Sequence, residues 1–363
     1  MSGDRPASEA APIGSRRLAL AVSAVVFAVA GCLAEFSVRL LRPEWRPPPV
    51  RGVPFLRPDP RLGWRLREGW QGPFVLPHRT TQVVISGQGL RDESYSPTPA
   101  PGRRRVLLLG DSMAWGFGVE ERETFAKLLE DRFPGMDVVN EAVPGYGTDQ
   151  ELLLLEEQGV GFHPDLVLLL FHPNDLLNNT WPRQYGYPKP VFRVDGTDLR
   201  LENVPVPGGW LYELGMRTLR RSFILHEIWK RTMEPTQDLH ASPNLAWDVT
   251  ERLLVRMRDT STKNGARFAV ITFPWVDDAT NRLLVRVREI IDRNRLTHFD
   301  LGPALSGRMA ALLDPGTQHW TPEGHRVVAD ALAPALSDLL DAPGEPTPPA
   351  RTIPGPEDAP KRR

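Results

Sequence analysis

The sequence predicts an α/β protein in which a parallel β-sheet lies between two layers of helices. From residue 106 onward, short apolar runs alternate with stretches that have the hydrophobic spacing of helices. The runs VLLLG (106–110) and DLVLLLF (165–171) are dominated by apolar residues, which is typical of strands covered on both faces. Because strands that alternate with helices form parallel sheets, this pattern predicts a three-layer α/β/α architecture.

The predicted elements follow one another in a regular order. Strands are expected at 106–110, 137–142, 165–171, 266–274 and 298–302, and helices near 124–133, 149–160, 279–295 and 322–340. In such sheets ligands bind beyond the carboxyl ends of the strands. The residues directly after the strands are therefore expected at one rim: Ser112, Pro144, Gly145, Asn174, Asp175, Pro274 and Trp275.

Residues 176–247 interrupt this alternation and are predicted to form an insertion. Within it, 210–232 has an apolar helical stripe opposite several arginines. Such a helix can lie on a membrane surface. We favour the alternative, a helix packed on the body with a solvated basic face. Residues 35–102 are predicted to hold a linker and a small turn-rich module, and the Pro-rich tail at 342–363 is predicted to be disordered.

The composition excludes several classes of function. The 363 residues carry a net charge of −1, from 44 basic and 45 acidic side chains, which gives no electrostatic reason to expect a nucleic-acid partner. Cys32 is the only cysteine, so neither an intramolecular disulfide nor a cysteine metal cluster can form. The histidines lack metal-ligand spacing, and we expect no metal and no cofactor.

The amino terminus predicts a membrane segment. After a tail at 1–17, residues 18–34 are uncharged and just long enough to span a bilayer. We favour a retained signal anchor, because this run is longer than the apolar region of a typical cleaved signal. One alternative is a lipoprotein signal, since Val-Ala-Gly-Cys at 29–32 resembles a lipobox that would make Cys32 the lipidated residue; the other is a buried helix. We expect a bacterial inner-membrane protein whose larger part faces the periplasm.

Ser112 is the first candidate for chemistry. It follows the first strand in the sequence Gly-Asp-Ser, and a serine becomes a nucleophile once an adjacent base takes its proton. The same tripeptide also fits a tight turn in which Asp111 or Ser112 caps the next segment. Two further rim loops offer donors to a developing oxyanion, the backbone N–H of Gly145 and the side-chain amide of Asn174, although each also fits an ordinary turn.

His319 is the candidate base. It lies at the last strand–helix junction, just before a helix that Thr321 can cap with Pro322 at its first position. A histidine in a loop at the rim suits this role because its pKa is near neutrality. His325 falls inside the helix, where we expect it to pack or cap. His172 is a candidate second ligand for the substrate.

Four stretches, GDSMAWGFGV, NEAVPGYGT, HPND and HWTPEGH, resemble in this order the sequence blocks of the SGNH (GDSL-type) hydrolases, over about residues 103–341. The resemblance implies a flavodoxin-like fold with Ser112 as the nucleophile and His319 as the base. It also implies an oxyanion hole formed by the N–H groups of Ser112 and Gly145 and the Asn174 side chain. The stretch at 59–92 resembles the amino-terminal extension of membrane-anchored bacterial members.

Two positions depart from the pattern of that family. It usually has an aspartate three residues before the histidine, where this chain has Gly316. Asp314 is then the candidate triad acid, and a backbone carbonyl that orients the histidine is the alternative. The glycine usually found two residues before the asparagine is His172 here, which is expected to narrow the pocket.

The resemblance implies a serine esterase or deacylase that works through an acyl-serine intermediate. The expected substrate is a small-molecule or glycan ester, such as an O-acyl group of a cell-envelope polysaccharide. Two alternatives stay open: an O-acyltransferase that passes the acyl group to a sugar hydroxyl, and a catalytically degenerate protein of the same fold that binds glycans. We favour the enzyme, because nucleophile, base and oxyanion donors are all present in chain order.

Overall fold

The computed structural model of the chain describes residues 13–41, 53–184, 187–207, 222–225, 227–228, 243–341 and 351–352. The chain divides into two compact units. The first comprises Met1–Gly52 and Trp210–Glu234, and the second comprises Val53–Gly209 and Pro235–Arg363. All of the candidate site residues lie within the second unit.

The second unit is built on a parallel sheet, which confirms the predicted α/β fold. The described strands are β1 (Leu56–Asp59), β2 (Gly63–Leu66), β3 (Gln71–Val75), β4 (Thr80–Val84), β5 (Arg104–Gly110), β6 (Met136–Asn140), β7 (Leu166–Leu170), β8 (Arg183–Gln184), β9 (Tyr187–Pro188), β10 (Val191–Asp195), β11 (Asp198–Glu202), β12 (Arg267–Thr272), β13 (Thr297–Asp300) and β14 (Arg351–Thr352). The central sheet has the order β6-β5-β7-β12-β13-β14, and all its neighbours are parallel. The other strands form four antiparallel pairs.

Helices cover the sheet and connect its strands. Helix α1 (Ile13–Leu41) belongs to the first unit. The described helices of the second unit are α2 (Ser112–Trp115), α3 (Phe125–Arg132), α4 (Thr148–Glu157), α5 (Asp175–Asn178), α6 (Pro243–Lys263), α7 (Asp278–Arg293), α8 (Gly302–Leu305), α9 (Met309–Leu312) and α10 (Pro322–Asp341). Short 3₁₀ turns lie at Glu121–Glu123 and Gly159–Phe162. The strands β6 and β7 are buried along their whole length, because helices pack on both faces of the sheet.

The three central strands end in register at one edge of the sheet. Gly110, the last residue of β5, pairs with Leu170 of β7, and Leu170 pairs with Ile271 of β12. Ser112 and His172 each come two residues after these strand ends. They therefore begin neighbouring loops at the carboxyl edge of the sheet, as the sequence predicts.

Residues 53–96 form a small module that packs on these loops. Its two hairpins are β1–β2 and β3–β4. The Phe55 ring stacks on Trp115 of α2 with the ring centroids 4.5 Å apart, and the indole N–H of Trp64 donates to the Pro144 carbonyl at 3.0 Å. The predicted turn-rich module is thus present, while residues 42–52 of the predicted linker lie outside the described residues.

The insertion supplies small antiparallel elements to the second unit, and within the first unit it forms hydrogen bonds to Glu35. The hairpin β10–β11 and the pair β8–β9 account for its first part, and α6 begins at Pro243, before the predicted boundary at 247. Of the predicted helix at 210–232, only residues 222–225 and 227–228 are described, so its arginines and Lys230 lie outside the described residues. The carboxylate of Glu35 in α1 accepts hydrogen bonds from Ser222 Oγ and the Phe223 N–H, each at 2.9 Å.

The apolar part of helix α1 extends beyond residues 18–34, the segment predicted from the sequence. Leu18–Leu41 has a mean hydropathy of 2.2 and is long and apolar enough to cross a membrane by length and composition. Most side chains in this span are exposed, including Cys32, whereas Glu35 and Val38 are half-buried. The longer helix includes Glu35, which pairs with Arg39 one turn later at 2.8 Å.

The predicted disordered tail at 342–363 needs one correction. Arg351–Thr352 forms the edge strand β14, which pairs in parallel with Phe299 and Asp300 of β13. An unpaired sheet edge offers backbone hydrogen-bonding groups to any extended segment that follows, which explains the pairing. The other residues of the tail lie outside the described residues.

Candidate active site

Ser112 is presented by a sharp turn at the end of β5. Gly110 has φ of 154°, and a Cβ there would lie 2.6 Å from the Cβ of Ala114, so only glycine fits. The Asp111 carboxylate accepts the Met113 N–H at 2.8 Å and caps the single turn α2. Ser112 therefore stands at the first position of this turn, half-buried, with its hydroxyl directed out of the sheet edge.

The structure brings Ser112 and His319 into direct contact. The distance between Ser112 Oγ and His319 Nε2 is 2.7 Å, although 207 positions of sequence separate the two residues. This distance is that of a good hydrogen bond and meets the requirement for a nucleophile–base pair. The predicted proximity of the two residues is therefore observed.

The other ring nitrogen of His319 contacts a backbone carbonyl. His319 Nδ1 lies 2.8 Å from the Thr317 carbonyl oxygen, so the ring carries its proton on Nδ1 and offers a free lone pair at Nε2. The Asp314 carboxylate is occupied elsewhere, because its Oδ1 accepts the N–H groups of Gly316 at 3.0 Å and Thr317 at 2.8 Å. The prediction that Asp314 contacts the histidine is wrong in this structure, and the alternative of an orienting carbonyl is the one observed.

At Gly316, where the family usually has an aspartate, the space for a side chain is taken by His78. A Cβ on Gly316 would lie 2.8 Å from Cδ2 and 3.0 Å from Nε2 of His78, which belongs to the β3–β4 hairpin. A side chain at 316 would therefore require the exposed His78 ring to turn away. Gly316 is thus explained by a neighbour that local sequence does not reveal.

Burial sets the protonation of His319. Removal of the ring from water lowers the pKa of His319 below its usual value, and the charge of Asp111, the Thr317 carbonyl and Asp314 oppose this effect. The neighbouring His172 lowers the pKa further. A lowered pKa keeps the imidazole neutral at neutral pH, which is the form that can accept the Ser112 proton.

The candidate oxyanion donors lie on the loops that follow β5, β6 and β7. Gly145 has φ of 83°, a left-handed conformation that favours glycine, and it is buried. Among the hydrogen bonds of the described residues, none uses the backbone N–H of Ser112 or of Gly145. The Asn174 side chain is half-buried, and its Oδ1 is buried without a partner. Among the same hydrogen bonds, the Asn174 Nδ2 donates none, so these three donors are not committed to other acceptors within the described residues.

His172 and His325 differ in their surroundings. His172 is half-buried at the rim; its Nδ1 accepts the Asn174 N–H at 3.1 Å, and its ring contacts Trp275 with the centroids 4.9 Å apart. His325 is fully buried in α10, where its Nδ1 accepts the Phe125 N–H at 3.2 Å. Burial lowers the pKa of His325 to about 3, so this residue is a neutral packing group.

A set of buried charged residues beneath the rim was missed from the sequence. Asp175 accepts the His172 N–H at 3.1 Å, and Glu151 is buried with both carboxylate oxygens unpartnered. Burial raises the pKa of both carboxyl groups well above its usual value, which favours their neutral forms. Nearby, Asp149 forms an ion pair with Lys189, and both side chains are fully buried. The acidic start of α4 was the available signal, but acids in the first turn of a helix usually face solvent.

Comparison with known proteins identifies the family. A sequence model of the GDSL-like lipase/acylhydrolase family matches residues 108–327. The chain belongs to this family. The matched region of this GDSL-like chain runs from β5 to α10 and contains Ser112, Gly145, Asn174 and His319. No curated protein matches the chain in a sequence search.

Solved structures similar to this GDSL-like chain are distant. A lipase/acylhydrolase from Enterococcus faecalis is 14% identical, with 65% of this chain and 96% of that chain covered at a TM-score of 0.40. An α/β hydrolase enzyme from the metagenome of Lake Arreo in Spain is 16% identical, with 66% and 97% covered at a TM-score of 0.40. The acetyl xylan esterase AlAXEase is 14% identical, with 64% and 99% covered at a TM-score of 0.40. The family assignment rests on the sequence model.

Ligands for a metal ion would have to come from the His, Cys, Asp and Glu side chains of the described part of this GDSL-like chain. Within it, no group of three or more His, Cys, Asp or Glu side chains is arranged to hold a metal ion.

Proposed function

We propose that the chain is a serine esterase that forms an acyl-enzyme at Ser112. The observation that carries this proposal is the 2.7 Å contact between Ser112 Oγ and His319 Nε2. Membership of a lipase/acylhydrolase family supports ester hydrolysis as the reaction class. The catalytic group consists of Ser112 and His319, with the Thr317 carbonyl in the place that a triad acid usually takes.

In the first half-reaction, His319 Nε2 accepts the hydroxyl proton while Ser112 Oγ bonds to the carbonyl carbon of the ester. The tetrahedral intermediate collapses as its bond to the alcohol oxygen breaks, and His319 returns the proton to the leaving alcohol. In the second half-reaction, water bonds to the acyl carbon and gives a proton to His319. The bond between Oγ and the acyl group then breaks, the carboxylic acid leaves and Ser112 regains its proton.

The tetrahedral intermediates carry a negative oxygen that needs donors. We assign this role to the N–H groups of Ser112 and Gly145 and the side-chain amide of Asn174. Three independent facts support the assignment: the uncommitted N–H groups, the left-handed backbone at Gly145 and the common rim of the three loops. Removal of one such donor typically lowers kcat by about 100- to 1,000-fold.

The proposed substrate class depends on the cellular location of the protein. We propose that α1 is a signal anchor, that the second unit faces the periplasm and that the substrate is an O-acyl group of a cell-envelope polysaccharide. The length and hydropathy of Leu18–Leu41 support the anchor. Lipidation at Cys32 is the alternative, which mass spectrometry of the mature amino terminus distinguishes. Protease added to intact spheroplasts is expected to remove the second unit; full protection would place it in the cytoplasm and contradict the proposal.

Hydrolysis of a short-chain aryl ester tests the formation of the acyl-enzyme, the step that the esterase and the O-acyltransferase share. Ser112→Ala and His319→Ala are expected to reduce kcat by at least 1,000-fold while the proteins remain folded. Undiminished turnover by Ser112→Ala would reject the acyl-enzyme. Release of free acetate from an O-acetylated polysaccharide, compared with transfer to an added sugar acceptor, separates the esterase from the O-acyltransferase. A wild-type protein that does neither but still binds the polysaccharide would be a glycan-binding protein of this fold.

A further inference from the structure

The imidazole of His319 lies against the face of an aromatic ring. The centroids of the Phe117 and His319 rings are 4.5 Å apart, and the ring planes are inclined by 28°. Phe117 follows α2 in the loop that leads away from Ser112, and it is half-buried. The face of the base is thus covered by a side chain that takes no part in the proton transfers described above.

We propose that Phe117 is a positioning residue for His319, held in place by the β3–β4 hairpin, and that it stabilises the imidazolium formed during the reaction. This inference rests on the proposed function, because it requires that His319 gain a proton from Ser112. It goes beyond that function because it assigns a role to Phe117 and to the hairpin that holds it, and the hairpin lies before residue 108, where the matched family region begins.

His319 acquires a positive charge during the proposed reaction. When the imidazole accepts the Ser112 proton, the resulting cation has a carbonyl oxygen at its Nδ1 edge and the Phe117 ring at its face. Aromatic faces carry negative charge density and attract cations within about 6 Å of the centroid, with a free energy of about 0.5–2 kcal/mol. Since no carboxylate hydrogen-bonds to the ring among the described residues, this contribution matters more than in a complete triad.

The other charged groups near His319 do not replace Phe117. Asp111 and Asp314 act on the imidazole at longer range, and the carboxylate of each is already bonded to backbone N–H groups. His172, on the neighbouring loop, opposes protonation of His319. Phe117 is therefore the group in face contact with the ring that favours its charged form.

The β3–β4 hairpin also packs against Phe117. The Phe74 ring of β3 is buried and meets the Phe117 ring edge to face, with the centroids 4.9 Å apart and the planes at 82°. Leu76 of the same hairpin approaches the backbone at Gly118, since a Cβ there would lie 3.2 Å from its Cδ1. Arg79 at the start of β4 forms an ion pair with Glu123 at 2.5 Å. The hairpin thus fixes the loop that carries Phe117.

The same hairpin also contacts the loop that carries His319. His78, at its tip, lies next to Gly316, two residues after Asp314 and three before His319. One element of the amino-terminal module therefore packs on both segments that frame the imidazole. We infer that the module is part of the catalytic unit and not an independent accessory.

The test compares variants of the full-length protein in detergent with an aryl acetate as the substrate. Phe117→Leu keeps the apolar volume but removes the ring, and we expect kcat to fall about tenfold at neutral pH. Loss of the cation–ring contact lowers the pKa of His319, so the acidic limb of the kcat profile moves to lower pH. Phe117→Tyr keeps the ring face and is expected to restore both kcat and the pH of the acidic limb to their wild-type values. Phe192→Leu, at a buried aromatic of β10 away from the site, is the matched control.

Each outcome decides between the proposals. The inference is overturned if Phe117→Leu changes neither kcat nor the pH of the acidic limb. It is also overturned if kcat falls but the acidic limb stays at the same pH, because that result indicates a purely structural role. If Phe117→Leu does not fold, Phe74→Leu serves in its place: it leaves Phe117 intact, and a threefold loss with a shifted limb is expected. Ser112→Ala, measured in parallel, must be inactive. If Ser112→Ala retains activity, the proposed function fails; if it is inactive while Phe117→Leu is unaffected, only this inference fails.

Discussion

The carbonyl oxygen of Thr317 lies 2.8 Å from Nδ1 of His319 and fixes the ring that contacts Ser112. A neutral carbonyl can select the tautomer and the ring orientation, which are two of the functions of a triad acid. It stabilises a positive charge less than a carboxylate does. The GDSL-like site of this chain therefore combines a serine–histidine pair with an orienting backbone group.

Asp314 is expected to act through the loop and not on the imidazole. Its carboxylate accepts the N–H groups of Gly316 and Thr317, and an asparagine oxygen can accept the same bonds. Asp314→Asn should therefore retain kcat within about threefold, whereas loss of both bonds in Asp314→Ala should cost about tenfold. Replacing a true triad acid by asparagine costs about 10,000-fold. A loss of that size in the hydrolysis assay would show that Asp314 contacts His319 during the reaction.

The pH dependence of turnover is expected to extend to acidic values. His319 acts as a base only when neutral, and burial holds the pKa of this residue below its usual value. The acidic limb of kcat/KM should therefore lie below pH 6.5, the ordinary value for histidine. The profile is measured over pH 4–8, with far-UV circular dichroism of the same samples to verify folding. A limb above pH 7 would contradict the lowering of the His319 pKa by burial.

Glu151 is expected to make the folded state less stable as the pH rises. Burial raises the pKa of Glu151 in the folded state, so between its ordinary and raised values the folded state binds more protons than the unfolded state. The contribution of neutral Glu151 to the free energy of unfolding is therefore complete below the ordinary pKa and is lost as the pH increases toward the raised pKa. Glu151→Gln removes this titration, and its melting temperature relative to wild type should be higher at pH 8 than at pH 5. An equal difference at both values would contradict the buried neutral carboxyl.

The ion pair between Lys189 and Asp149 links the insertion to the start of α4. Both side chains are fully buried, so removal of either partner leaves an uncompensated charge. Lys189→Met should lower the free energy of unfolding by about 3–5 kcal/mol. In the double variant with Asp149→Asn most of this loss should be recovered, because neither charge remains. Chemical denaturation of the four proteins of this cycle measures the coupling, and additive losses would contradict a direct pair.

The features that sequence predicted here are those that local pattern encodes. The strands that precede Ser112 and Asn174 are short apolar runs, and burial on both faces of the sheet requires such runs. The carboxyl edge follows from parallel strands, which is why Ser112, Gly145 and Asn174 were assigned to one rim. His319 was assigned to the same rim because its loop lies at the last strand–helix junction, and the order of the four blocks then supported its pairing with Ser112.

The features that sequence missed depend on contacts between distant segments. Nothing in the sequence distinguishes the Thr317 carbonyl from any other, and its position depends on a loop in which Gln318 adopts a left-handed backbone with φ of 60°. Glu151 resembles a surface acid because helical position alone does not report burial beneath a rim loop. The stack of Phe74, Phe117 and His319 joins residues separated by more than 200 positions, which no local pattern encodes.

Covalent labelling tests the central claim that Ser112 and His319 act as one catalytic pair. A fluorophosphonate probe is incubated with the wild-type protein, Ser112→Ala and His319→Ala, and the adduct is located by peptide mass spectrometry. We predict a single adduct on Ser112 in the wild type, none in Ser112→Ala and labelling slowed by at least 1,000-fold in His319→Ala. A folded wild-type protein that is not labelled at Ser112, or that is labelled equally fast without His319, would contradict the claim.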